Sequence, residues 1–204
     1  MLLDDSSGLL WDTPKRAARG QSDTSAQIAA RIAAMHWDYS SYQQPELREP
    51  PPGCIALDFE GKDPTLNTKG PCWAFPGVGF LIGFSVAWEG FKAYYPFGHR
   101  EGNSLSKEKA YEWLAYYFKR KEYKWVCANA TYDIGWARRE IGLYPEGGVE
   151  DIQFMAALLD EYRMSYSLES IGRSYLKRGK QTDVIKEIEI KLALKHSQVM
   201  GNLD

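Results

Sequence analysis

The stretch CIALDFEG, residues 54–61, alternates apolar and acidic positions at its centre. Side chains along a β-strand point to opposite faces with a period of two. Ile55, Leu57 and Phe59 therefore share one face, and Asp58 and Glu60 share the other. Two carboxylates side by side repel and raise each other's pKa. A divalent cation between them removes that penalty. Taken alone, D-x-E reads more simply as a solvent-facing strand with two ordinary acids, so the flanking sequence has to decide.

Downstream, GFLIGFSVAW (79–88) and FKAYYPF (91–97) read as strands joined by a tight turn at Glu89-Gly90. Residues 61–77 and 98–105 read as loops. Ser106 is placed to cap a helix through about Lys121, with Ala110, Trp113, Leu114, Tyr117 and Phe118 at helical spacing. KWVCAN (124–129) reads as a short buried strand, followed by a helix from about Thr131 to Ile141. Asp151 and Ser167 can cap helices over 152–161 and 168–177, the second turning Leu168, Ile171 and Leu176 inward. Residues 183–199 read as an amphipathic helix. The order β-β-β-α-β-α-α-α predicts an α/β fold, a mixed sheet flanked by helices.

Upstream, residues 1–22 read as a polar leader. Thr24 and Gln27 form a capping box that opens a helix to about His36, with Ile28, Ile32 and Met35 on one stripe. QPELREPPPG (44–53) holds four prolines and reads as a stiff linker. The expected division is thus a helical and flexible segment over 1–50 and a main domain over 51–204.

With 204 residues, 44% hydrophobic content and 14% aromatics, the chain can build one such domain and an appendage. A net charge of −2 argues against a protein that coats duplex DNA. It leaves room for an enzyme whose metals supply the positive charge. Cys54, Cys72 and Cys127 are scattered, which argues against a zinc site or a disulfide framework and fits a reducing, cytoplasmic setting. The sequence shows neither an apolar run near 18 residues nor a signal peptide, so no membrane association is expected. His36, His99 and His196 are too dispersed for a metal trio. The basic runs at 119–121 and 138–139, and the cluster Arg173, Lys177, Arg178 and Lys180, read as solvated faces.

A second acidic element lies in CANATYDIGWARRE (127–140). The strand ends near Asn129 and a helix begins, so Asn129 and Asp133, four apart, are expected to point together near the end of that strand. A helix N-terminus there favours phosphate or carboxylate. Simpler readings are an N-cap for Asn129 and a solvated acid for Asp133. An acidic pair on one strand with an acid early in a later helix is what a two-metal phosphodiesterase needs.

ALDFEG (56–61) resembles the first motif of the DEDD exonucleases, whose fold is ribonuclease-H-like, and NATYD (129–133) resembles their second, N-x-x-x-D. EDIQFMAALLDE (150–161) and YSLESIGRSYL (166–176) are similar to the helices that follow in the proofreading domain of family A DNA polymerases, and KDPTLNTKGPCWA (62–74), with GFSVAW and YYPFGHREG, is similar to phage-encoded members. The resemblance implies a 3′–5′ exonuclease with Asp58, Glu60 and Asp133 as catalytic metal ligands for Mg²⁺ or Mn²⁺ in a two-metal site. It implies Asn129, Tyr132 and Phe59 along the 3′-terminal nucleotide of single-stranded DNA, and Asp151 close behind the site as a helix cap. It also implies a polymerase domain in the same chain and a setting in an infected bacterial cell.

The third family motif, Y-x-x-x-D or H-x-x-x-x-D, does not occur after Asp133. Truncation before that motif, or loss of catalysis, are the two explanations, and without the fourth carboxylate the second metal would be weakened. A catalytically inactive nucleic-acid-binding or assembly domain and an RNA-directed exonuclease are the alternative functions.

Overall fold

The computed structural model describes residues 24–34, 46–75, 77–99, 105–179 and 183–193. Two compact units are formed, one containing helices α1 (Ser25–Ala33) and α6 (Asp183–Leu192), the other the residues between 46 and 179. In the first unit, Thr24 and Gln27 close the expected capping box, with Gln27 Oε1 accepting from Thr24 N at 2.7 Å. Ile28 and Ile32 are buried, and Arg31 donates to the Leu192 carbonyl at 2.6 Å. Met35 and residues 194–199 lie outside the described residues.

The second unit is built on five strands: β1 (Gly53–Lys62), β2 (Phe80–Trp88), β3 (Phe91–Pro96), β4 (Tyr123–Cys127) and β5 (Val149–Asp151). Their spatial order is β3-β2-β1-β4-β5. β2 runs antiparallel to β1 and β3, while β4 is parallel to β1 and β5. Helices α2 (Lys107–Phe118), α3 (Ala130–Ile141) and α4 (Ile152–Leu159) flank the strands. This is the mixed sheet flanked by helices that the sequence predicts. β1 lies at its centre, and Ile55, Leu57 and Phe59 are buried while Asp58 and Glu60 are exposed.

The buried face of β1 meets an aromatic core. Phe84 is fully buried, with Phe59, Tyr95, Phe97 and Trp113 within 5.2–6.3 Å of its ring. α2 closes over this face with Ala110, Leu114 and Phe118, and Phe118 lies 4.6 Å from Trp125. Ser106 caps α2 as expected, accepting from Lys109 N. Each large side chain buried here contributes about 1.5–3 kcal/mol, enough to fix which face of β1 turns inward.

Several local expectations are corrected. β5 is only three residues long, too short for its alternation to be visible. β1 continues through Lys62 after a bulge at Glu60/Gly61, and Cys72–Ala74 makes a 3₁₀ turn inside the expected loop. The helix capped by Ser167, α5 (Leu168–Ile171), passes into a π turn at Gly172–Leu176. That widened turn breaks the 3.6-residue spacing. Leu176, at the end of that turn, is exposed rather than turned inward, and so is Leu168 at the start of α5. Among the described residues no helix is long and apolar enough to cross a membrane.

Phe84→Ala is expected to cost about 3–5 kcal/mol of folding stability, since it opens a cavity against four rings. Urea unfolding followed by tryptophan fluorescence measures it.

Candidate functional site

β1 carries Asp58 and Glu60 on the sheet face opposite the aromatic core. Asp58 pairs across the strands with Ser85, and Glu60 with Gly83. The bulge directly after Glu60 bends the strand there, a device that re-aims a side chain.

β4 stops at Cys127 and pairs with β1 only as far as Ala56. Beyond that point β1 has no strand neighbour on this side, and α3 takes the place of one. Asp133, in the first turn of α3, accepts a hydrogen bond from the Phe59 amide at 2.9 Å. Phe59 lies between Asp58 and Glu60, so the Asp133 carboxylate is anchored between the two strand acids along β1. It is buried, 1% exposed, which overturns the reading of a solvated helix acid.

The Asp133 carboxyl is pushed up to about 7, first by burial, then by the charges of Asp58 and Glu60. The Phe59 amide works against this shift. A hydrogen bond to a charged group contributes about 1.5–3 kcal/mol, which the loss of water outweighs here. Burial likewise pushes the Cys127 thiol up, so it stays protonated beside these acids.

Asn129 is the N-cap residue of α3 in the left-handed region, φ 70°, and its side chain makes no capping bond. It therefore does not share a helix face with Asp133, because the four-residue spacing holds only within helical backbone. Asp151 does the capping instead. Its carboxylate accepts from Asn129 N at 3.2 Å, Ala130 N at 2.7 Å and Gln153 N at 2.8 Å. One side chain thus caps α4, as the sequence predicts, and α3 as well. It also fills the α3 N-terminus, so that end is not open to a phosphate.

Tyr132 is half-buried, and its hydroxyl donates to Asp63 Oδ2 at 3.2 Å. Asp63 also accepts from Cys72 N at 3.0 Å, which ties α3 to the loop after β1. Burial first, then Asp63, pushes the Tyr132 phenol up to about 12. The Phe59 ring is 4% exposed in the core against Phe84, so the expectation that it lines the nucleotide is corrected. Only its main chain reaches the site.

The structure brings Asp58, Glu60 and Asp133 to one end of β1 but does not close them. Among the described residues no three of His, Cys, Asp or Glu are grouped tightly enough to hold a metal ion. Of the basic residues, Arg139 bonds the carbonyls of Cys72 and Gly79, and Arg173 pairs with Glu169.

Lys92 and Tyr94, which the sequence does not single out, also lie on this face. An open groove of about 750 Å³ runs along this face, lined by Ala56, Asp58, Ser85, Ala87, Lys92 and Tyr94, with Ile152 and Leu168 at its side. Tyr94 hydroxyl and His99 Nε2 are 2.7 Å apart. Period-two alternation along FKAYYPF could have put Lys92 and Tyr94 on one face, but not the pairing with His99.

No family model matches the chain. A DNA polymerase of Salmonella phage PMBT28, DpoZ, is 34% identical over 94 residues, 46% of this chain and 15% of that protein. The chain thus matches a small part of that relative's length. Among solved structures it is similar to Escherichia coli RNase D, with 16% identity over 88% of this chain and 39% of that one at a TM-score of 0.47. It is also similar to Brucella melitensis NrnC with bound Mg²⁺, with 12% identity over 74% of this chain and 65% of that one at a TM-score of 0.46.

Two variants test the geometry. Because the Asp133 carboxyl binds its proton more tightly folded than unfolded, its stabilising effect is complete below about pH 4 and is lost as pH rises through about 7. Asp133→Asn should therefore raise the metal-free melting temperature at pH 8 by roughly 3–10 °C, and leave it little changed at pH 4, in thermal unfolding with chelator. Asp151→Ala removes the cap of two helices and should cost about 1–3 kcal/mol in urea unfolding.

Proposed function

We propose that the sheet-bearing unit is a metal-dependent 3′–5′ exonuclease domain of a phage-type DNA polymerase, acting on the 3′ end of single-stranded DNA. The observation that carries the reading is the buried Asp133 carboxylate anchored on the Phe59 amide between Asp58 and Glu60. Burial and the charges of Asp58 and Glu60 raise the proton affinity of Asp133, a penalty that a divalent cation relieves. The donors are all hard carboxylate oxygens, which suit Mg²⁺ or Mn²⁺ and not zinc.

Asp58, Glu60 and Asp133 would hold the cations. Bound there, two such ions supply an activated water and stabilise the leaving 3′ oxygen. The protein's own residues do the positioning. Asp151 fixes the start of α3, and Asp63 fixes the Tyr132 hydroxyl. Tyr132 and the exposed Asn129 side chain then flank the 3′-terminal nucleotide beside the carboxylates.

The second reading, a catalytically inactive nucleic-acid-binding domain of the same fold, is favoured by the same unclosed set. Both are tested by Mn²⁺-dependent shortening of a 5′-labelled oligonucleotide together with Mn²⁺ titration. The exonuclease reading predicts a ladder of products, a loss of about 10²-fold or more in Asp58→Ala, and Mn²⁺ stabilisation in wild type only. Oligonucleotide binding without shortening or Mn²⁺ binding would select the inactive domain.

A further inference from the structure

α4 is apolar along almost its whole length, IQFMAALL, yet the only residue it buries is Ala156. A helix that is apolar all round ordinarily lies in a core. Here Phe154, Leu158 and Leu159 are 68%, 90% and 75% exposed, and Met155 is exposed beside them. Spacings of three and four residues put these side chains on one side of the helix.

The apolar face continues past α4, where Tyr162 and Met164 are exposed in the following loop. That loop is pinned to its surroundings. The Tyr166 hydroxyl donates to the Asp160 carbonyl at 2.8 Å. The Arg163 guanidinium donates to Ser174 Oγ at 3.0 Å and to the Ser170 carbonyl at 3.1 Å, and it lies over the Tyr175 ring. α4, the loop and the π turn thus form one surface.

Large side chains of this class cover about 150–250 Å² each, so Phe154, Met155, Leu158, Leu159, Tyr162 and Met164 leave on the order of 800 Å² to solvent. The largest apolar patch of a typical monomer is about 300–600 Å². A standard interface takes about 800 Å² from each partner. The face is therefore larger than a monomer ordinarily shows and as large as a stable dimer needs.

The charges select the occupant. α4 carries no charged residue between Ile152 and Leu159, so two copies can meet there without repulsion. Exposed Asp160 and Glu161 follow the helix directly, which disfavours nucleic acid or an anionic membrane. Lys177 and Arg178, after the π turn, give the surface both signs. An uncharged apolar centre with a charged rim is the composition of a protein–protein interface. We propose that α4 and the loop after it bind the same face of a second copy of this chain in a two-fold dimer. The contact uses none of Asp58, Glu60 and Asp133 and does not depend on the exonuclease reading.

The test is sedimentation velocity of the full chain over a range of concentrations. An interface of this size holds at micromolar concentration or below, so a monomer–dimer equilibrium with a single closed dimer is expected. Leu158→Glu places a charge in the middle of the contact and should raise the dissociation constant about 10-fold or more, and Phe154→Ala should raise it about 10-fold. Both side chains are exposed, so both variants should keep the circular dichroism of the wild type. Tyr144→Ser, at an exposed position on the loop after α3, should dimerise as wild type does. A chain that stays monomeric well above micromolar concentration overturns the proposal and assigns the face to a different occupant. Open-ended aggregation overturns it as well, as do folded Leu158→Glu and Phe154→Ala variants that dimerise like the wild type.

Discussion

The hydrogen bond from the Phe59 amide to Asp133 joins the two acidic elements of this protein. It exists because β4 ends early and leaves the central strand with a main-chain donor to satisfy. α3 satisfies it with a carboxylate. The same bond that completes the sheet edge therefore delivers a buried acid between two exposed ones. Folding and site assembly are a single event here, at the expense of a carboxyl that burial forces toward protonation.

Everything around that bond serves to hold α3 in register with β1. Asp151 caps the helix from β5, Asp63 holds Tyr132 from the loop after β1, and Arg139 clasps the carbonyls of Cys72 and Gly79 from the other end of α3. The aromatic core fixes the opposite face of the sheet. The carboxylate face is left with small residues and a groove that reaches β3.

Much of this was legible in the sequence. The alternation through Ile55, Leu57 and Phe59 placed Asp58 and Glu60 on one face, because period two depends only on local backbone. The capping roles of Thr24, Ser106, Asp151 and Ser167 were visible for the same reason. What escaped reading depends on where distant elements stop. The burial of Asp133 follows from the end of β4, which no spacing reveals. Asn129 adopts a left-handed backbone that its type permits but does not dictate. Phe59 was placed beside the nucleotide by resemblance, although its own alternation put the ring in the core. The Tyr94–His99 pair required a turn of the chain after β3 and a glycine on the neighbouring strand.

On the proposed function, a divalent cation draws Asp58, Glu60 and Asp133 together. Anomalous diffraction from crystals grown with Mn²⁺ tests it most directly. The expected result is an anomalous peak bonded to oxygens of all three carboxylates, with Asp133 still on the Phe59 amide. Full-occupancy Mn²⁺ elsewhere with these carboxylates bare, or no Mn²⁺ at millimolar concentration, would contradict it.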